Sequence, residues 1–171
     1  KTEYGKKIAL MFSEHPQKIL SGETPGELIT PQKRDALLKE RGFEPVFIDF
    51  SEISELSPQE FFEEILVKRL KATAVCCGFN YRFGKNATGD AKSLEALCKE
   101  NGVAFKMCDP VEYEGEAISS TRIRQSLRDG DVEAANNMLG RLFSYDFEVV
   151  HGDKRGRVLG SPTINQFFTE D

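Results

Sequence analysis

Apolar positions along this chain come in two alternating textures. Short continuous runs, bounded by glycine, proline and polar breaks, predict strands, and longer stretches with apolar residues three and four apart predict helices. Ile8-Ala9-Leu10-Met11-Phe12 is a run of the first kind and reads as a buried strand, with residues 1–5 as the tail of a preceding element. Residues 45–50, 73–77 and 103–107 repeat that texture. Between them, Thr30-Pro31 supplies an N-cap and a first-turn proline, Leu37-Leu38 carries the helix on, and Gly42 stops it. Ser57-Pro58-Gln59-Glu60 has the spacing of a capping box, and Phe61, Phe62, Ile65, Leu66 and Leu70 form a helical stripe that reads as core, not as a cofactor box. Residues 93–101 predict a helix ended by Gly102, a helix that starts after Ser119 or Ser120 is ended near Asp129-Gly130, and residues 132–139 predict one ended by Gly140. Strand and helix alternating over residues 6–140 predicts an α/β domain in which helices wrap a parallel sheet.

After Arg141 the texture changes. Residues 143–150 alternate imperfectly, as a strand would, and His151-Gly152-Asp153-Lys154-Arg155-Gly156-Arg157 forms a turn-rich basic loop. A domain boundary is expected near 140–145, giving domains 1–142 and 143–171, and the second stretch is too short to close a core of its own. The sequence has no internal repeat and no low-complexity segment.

Three loops hold candidate chemistry. Residues 118–124, Ile-Ser-Ser-Thr-Arg-Ile-Arg, place three hydroxyls and two guanidiniums at a helix start. Ser119 or Ser120 serves as N-cap, Thr121 opens the first turn, and the free amides and positive dipole end favour an anion, with phosphate the obvious guest. Arg122 and Arg124 diverge on a helix, so one is expected to serve the ligand and the other to anchor a loop. Taken alone, Ser-Ser-Thr-Arg reads more simply as a capped helix with surface arginines, and the other loops tilt that balance. Residues 78–89 run from Gly78 through Asn80, Phe83 and Gly84 to Gly89 and combine glycines, aromatics and cations, so the backbone and rings can approach a ligand closely. His15 lies in a polar loop after the first strand, where open α/β sheets place ligands.

Composition narrows the classes. The 171 residues are 39% hydrophobic and 30% charged, and no apolar run is long enough to cross a bilayer. No secretory pattern follows Lys1, so a cytoplasmic location is the default expectation. A net charge of -5 argues against a broad nucleic-acid surface. The four cysteines, Cys76, Cys77, Cys98 and Cys108, lack paired C-x-x-C spacing and neighbouring histidines, so they read as small buried apolar residues and not as a zinc site. Tryptophan is absent, so ring stacking would fall to Phe79, Tyr81 or Phe83.

Together these stretches resemble one family, the bacterial bifunctional riboflavin kinase and FAD synthetase. Residues 118–124 look like its nucleotidyltransferase phosphate motif, residues 78–89 resemble its G-x-N-F/Y-x-F-G-x-x-x-x-G loop, and residues 151–165 are similar to its H-G-D-x-R-G-R-x-L-G-x-P-T-x-N opening of the kinase domain. Phe12-Ser13-Glu14-His15-Pro16 is a weaker match to F-x-x-H-P. The resemblance implies a Rossmann-like nucleotidyltransferase domain followed by the first strands of a β-barrel riboflavin kinase domain. It implies two reactions, riboflavin with ATP giving FMN, and FMN with ATP giving FAD and pyrophosphate, both with magnesium. It further implies that Ser120, Thr121 and Arg122, with Ser119 and Arg124, hold the ATP phosphates during adenylyl transfer. Gly78, Asn80, Phe83, Gly84 and His15 would line the nucleotide and flavin cleft, and Thr163 and Asn165 would bind magnesium and phosphates in the kinase site.

The chain departs from that pattern in several places. The family's G-x-F-D-G-x-H-x-G-H signature is absent, and the two histidines, His15 and His151, lie outside any such motif. Phe147 stands where the family usually has glycine, and Ser161 where it usually has an aromatic. Relative to the family the chain reads as cut at both ends, so these residues alone are expected to be a poor catalyst. A non-catalytic flavin or nucleotide binding module is the alternative of a different class, and another nucleotidyltransferase is a third, against which residues 151–165 argue.

Overall fold

The computed structural model describes residues 5–13, 22, 25–153, 155–161 and 163–166. The first apolar run is strand β1 (Lys7–Phe12), which pairs in parallel with β2 (Phe43–Ile48), Lys7 opposite Phe43 and Phe12 opposite Ile48. Helix α1 (Pro31–Glu40) makes the crossover between them, started by Thr30, whose hydroxyl accepts from the Lys33 amide. The second strand is shifted two residues toward the N-terminus from its expected place at 45–50. Asp49 caps a short helix α2 (Phe50–Ile53), which takes Phe50 out of the strand.

Ser57 starts the next helix as expected. Its hydroxyl accepts from the Glu60 amide at 3.2 Å, and the Glu60 carboxylate accepts from the Ser57 amide at 2.8 Å. The single α-turn Pro58–Glu60 passes into a π-helical stretch, Phe61–Arg69, and the two together are α3. Its wider turn is visible in the Leu70 amide, which donates to the carbonyl of Ile65. Phe61, Phe62, Ile65 and Leu66 are all buried, as the stripe predicts.

A second parallel pair follows. Strand β3 (Ala74–Gly78) lies beside β6 (Ala104–Cys108), with Ala74 opposite Ala104 and Gly78 opposite Cys108. The connection holds a small antiparallel pair, β4 (Arg82–Phe83) with β5 (Gly89–Asp90), and then α4 (Ala91–Glu100). Helix α4 begins two residues before the expected 93, because Asp90 forms a capping box with Ser93. The hairpin β7 (Glu112–Tyr113) and β8 (Glu116–Ala117) leads into α5 (Ser120–Arg128) and α6 (Val132–Leu139).

One core joins both parallel pairs. Ile48, Phe61, Phe62, Phe83, Leu94 and Cys98 are its buried centre, with Leu10 of β1 and Val75 and Cys77 of β3 packed against it. A smaller cluster of Ile123, Ala135 and Met138 locks α5 onto α6. Among the described residues the two pairs share this core without being hydrogen-bonded to each other, so the expected single parallel sheet is seen as two parallel pairs.

Residues 143–150 differ from the expected strand. Only β9 (Val149–Val150) forms a ladder, antiparallel with β10 (Asn165–Gln166) across the short helix α7 (Arg155–Val158). The preceding residues run as a strap against α6, α1 and the segment before α1. The Phe143 amide donates to Asn136 Oδ1 at 2.6 Å, Lys33 Nζ to Ser144 Oγ at 2.5 Å, and the Tyr145 hydroxyl to Glu27 Oε2 at 3.1 Å. These side-chain partners occupy the segment where a ladder was expected. No closed barrel is formed among the described residues.

Candidate functional site

Two of the three candidate loops leave the sheet at the same end. Gly78 closes β3, and Cys108, beside it in register, closes β6, so residues 78–89 and the hairpin leading to α5 both start from the carboxyl edge of that pair. Ligands of open α/β sheets bind at that edge. A shallow depression between Lys6, Lys39 and Glu44 lies at the opposite, amino-terminal ends of β1 and β2, away from the two described loops.

At the start of α5 the sequence left two candidate caps, and the geometry selects Ser119. Its backbone is extended (φ -143, ψ 155) and its hydroxyl accepts from the Arg122 amide at 3.2 Å. Ser120 and Thr121 are then the first two helical residues, exposed, with amides that have no intrahelical acceptor. Arg122 Nη1 donates to the Glu116 carbonyl at 2.9 Å, its Nε lies 3.4 Å from the Glu116 carboxylate, and the guanidinium sits 5.7 Å from the Tyr113 ring centroid. Arg124 Nε donates to the Gly26 carbonyl at 2.6 Å. Both arginines thus hold main-chain carbonyls, one on the β7–β8 hairpin and one on the segment before α1. Each guanidinium carries five N–H donors, so these bonds leave capacity for an anion.

The loop after β3 divides its residues between core and surface. Phe83 is 6% exposed and packs between Phe61, at 5.5 Å, and Tyr81, stacked at 5.6 Å with a 12° interplanar angle. Burial pushes the Tyr81 phenol up to about 12. Phe79 and Asn80 are exposed, and Phe79 is the large aromatic of the loop with an open face. The glycines have packing reasons. Gly84 has φ +74, and a Cβ there would meet the Pro58 nitrogen at 2.8 Å; a Cβ on Gly89 would meet the Phe83 ring at 2.6 Å. Gly78 has room for a Cβ, with Asn80 Oδ1 at 3.4 Å. The loop cations are paired, Lys85 with Glu55 at 2.6 Å and Arg82 with Asp90 at 3.9 Å, and the Glu55 contact raises the Lys85 pKa.

His15 lies outside the described residues. In the C-terminal segment Thr163 and Asn165 are exposed and folded against the basic loop. A Cβ on Gly152 would fall on the Asn165 amide, and one on Gly156 would lie 3.1 Å from Thr163 Oγ1. Thr163 and Asn165 supply a hydroxyl and an amide oxygen, hard donors of the type that suits magnesium retaining part of its water shell, although it is the Asn165 amide nitrogen that faces Gly152. Among the described residues there is no group of three or more His, Cys, Asp or Glu side chains that could hold a metal ion.

Compared with known proteins, residues 1–122 match the family model described as FAD synthetase. The chain belongs to the FAD synthetase family. The model described as riboflavin kinase matches residues 139–171, which follow the FAD synthetase match in the chain. A bifunctional riboflavin kinase/FMN adenylyltransferase of Bacillus subtilis is 34% identical over 169 residues, covering 95% of this chain and 52% of the relative. The protein of the same name from Escherichia coli is 30% identical over 161 residues, covering 92% of this chain and 51% of its own length. This FAD synthetase family chain therefore spans about half the length of the curated relatives it matches. A crystal structure described as a macrolide-efflux protein from Streptococcus pneumoniae superposes with a TM-score of 0.78 at 34% identity, over 94% of this chain and 53% of that one. Among the described residues no helix here is long and apolar enough to cross a membrane.

The strap at residues 143–146 escaped sequence reasoning, and the anchoring role expected of one arginine falls to Arg124, whose partner Gly26 lies far along the chain with no local pattern to announce it. The cysteine reading is corrected in part. Cys98 is buried and Cys77 half-buried as expected, but Cys76 and Cys108 are exposed, because they point to the face of β3 and β6 away from α4.

Proposed function

We propose that this chain belongs to an enzyme of FAD formation and holds the phosphate-binding half of its adenylyltransferase site. The observation that carries this reading is the start of α5: a Ser119-capped helix with two open amides and two arginines, at the carboxyl edge of a parallel strand pair. ATP would place its phosphates against the Ser120 and Thr121 amides and hydroxyls. A phosphate oxygen of FMN would attack the α-phosphorus, and pyrophosphate would leave. Negative charge grows on the transferring group and the leaving pyrophosphate, so preset N–H donors and the Arg122 and Arg124 guanidiniums would lower the barrier without a covalent nucleophile. Gly78 and Asn80 would border the flavin and nucleotide cleft, with Phe79 offering an open ring and Phe83 and Gly84 fixing the loop from beneath. His15 is assigned to the same cleft.

The C-terminal segment, from about residue 143, would contribute to phosphorylation of riboflavin. Thr163 and Asn165 are the residues that would hold magnesium, which would neutralise phosphate charge there. The partners are thus small molecules, ATP, FMN and riboflavin, in the cytoplasm.

A second reading, nucleotide or flavin binding without turnover by these residues alone, is favoured by one observation: neither His15 nor His151 lies in an H-x-G-H motif. Titration of the 171-residue chain with ATP and with FMN, followed by chromatographic assay for FAD, separates the readings. Saturable ATP binding, weakened at least tenfold in Arg124→Ala, is expected, with little FAD formed. Robust FAD formation would overturn the expectation of a poor catalyst, and failure to bind either ligand would sink both readings.

A further inference from the structure

Alternation along β3 and β6 sends Ala74, Cys76 and Gly78, with Ala104, Lys106 and Cys108, to one exposed face of that pair. Cys76 lies opposite Lys106, and Cys108 opposite Gly78, so the two cysteines sit diagonally, two register positions apart on neighbouring strands. Their sulfurs are 3.3 Å apart. Cys77 points to the other face, half-buried against the core, and Cys98 is fully buried, so neither shares the exposed face of the pair. The adenylyl-transfer and kinase chemistry proposed above leaves these thiols unused.

We propose that Cys76 and Cys108 form a dithiol modification site that closes reversibly to a disulfide by exchange with a small-molecule disulfide. The thiolate of one cysteine of the pair attacks one sulfur of the small disulfide. A mixed disulfide forms, the small S–S bond breaks, and the departing thiolate takes up a proton. The other cysteine, after giving its proton to solvent, then attacks the protein sulfur of that mixed disulfide, and a second small thiol leaves. Two protein thiols are oxidised by two electrons in all, and one small disulfide is reduced to two thiols. Contact with the Cys108 sulfur, followed by partial burial, pushes the Cys76 thiol up, while Lys106, opposite it in register, pulls the other way, so the geometry leaves either thiol able to attack first.

Closure would act on the loop after β3. A two-residue offset between neighbouring strands separates Cα atoms by about 8 Å, given a strand spacing of about 4.8 Å and a rise of about 3.3 Å per residue. Disulfides usually span about 4.4–6.8 Å between Cα atoms, so closure draws the two strand ends together and leaves a strained, easily reduced bond. The Cys108 carbonyl accepts from the Phe79 amide at 3.0 Å, and that bond sits at the root of the loop from Gly78 to Gly89. Oxidation would therefore be felt at the loop without any group of the phosphate site being modified.

The test uses the 171-residue chain equilibrated in buffers of rising oxidised-to-reduced glutathione ratio, quenched with acid and read by intact mass and peptide mapping. The expected product loses two hydrogens, carries no glutathione, and maps to a Cys76–Cys108 crosslink that thiol reductant reverses. Cys76→Ser and Cys108→Ser should each stop at a stable glutathione adduct, while Cys77→Ser should close like the parent. Hydrogen exchange at the Phe79 amide should rise on oxidation. Four free thiols at every ratio, an unresolved glutathione adduct on the parent, or a crosslink through Cys77 or Cys98 would each overturn the proposal. None of these readouts depends on FAD chemistry, so this inference and the proposed function can fail separately.

Discussion

At the scale of single residues, the loop after β3 shows how one pattern serves two purposes. Its glycines and aromatics suit close approach to a ligand, yet Gly84 and Gly89 are demanded first by contacts within the protein. Gly84 combines φ +74 with a backbone contact to Pro58, so a methyl group meets both conformational strain and a main-chain neighbour. Gly84→Ala is expected to destabilise the chain by about 1–3 kcal/mol, measured as a lowered urea midpoint at unchanged slope. A midpoint equal to the parent's would show that the loop is not seated on Pro58. Phe83 follows the same logic, since its ring fills the core between Phe61 and Tyr81 and leaves the open face to Phe79.

At the scale of elements, the helix starts carry much of the local specification. Ser57→Ala removes one side of the capping box at α3 and is expected to cost about 1 kcal/mol, read by equilibrium unfolding at neutral pH. The boxes also set an acid limb. Glu60 is held below the usual carboxylate range first by the Ser57 amide and then by its hydroxyl, and Asp90 likewise by Ser93, with a lesser pull from Arg82. A carboxyl depressed in the folded state stabilises it above the unfolded value, and that contribution is lost as pH falls through the folded value. Stability should therefore decline as acid is added below about pH 5. The double variant Glu60→Gln, Asp90→Asn should show a shallower decline between neutral and acid pH; an unchanged acid limb would place its origin elsewhere. These caps, the proline starts and the glycine stops were legible in the sequence because each partner lies three or four residues away. The early start of α4 shows the limit of that reading, since Ser93 is a member of the box and Asp90 is the cap.

At the scale of the whole molecule, the strap ties the C-terminal segment to α1, the segment before it and α6. Lys33 reaches Ser144 and Asp146, and Tyr145 reaches Glu27, on either side of the Thr30 cap. Exposed polar links of this kind contribute little to global stability but can hold a segment in place. The pair Lys33→Ala, Tyr145→Phe is expected to shift the unfolding midpoint by less than about 0.5 kcal/mol, while limited proteolysis between residues 142 and 148 speeds up several-fold. Equal cleavage rates would show that the strap is not held by these contacts. The tie from Arg124 to Gly26 acts over a similar span and links the phosphate-site helix to the segment that leads into α1.

The sequence by itself determined the alternation of strands and helices, most of their caps and stops, the positions of the two described loops, and the family. Each depends on neighbours within a turn or on the order of motifs, and both can be read along a line. Only the tertiary structure decided that Phe83 is core, that both arginines hold carbonyls, that two of the cysteines meet at the surface, and that residues 143–146 form a strap. The partners in those contacts stand apart by 98 positions for Arg124 and Gly26, 111 for Lys33 and Ser144, and 118 for Tyr145 and Glu27. No local periodicity encodes such pairs, because they arise only when burial of the shared core brings distant elements to one place.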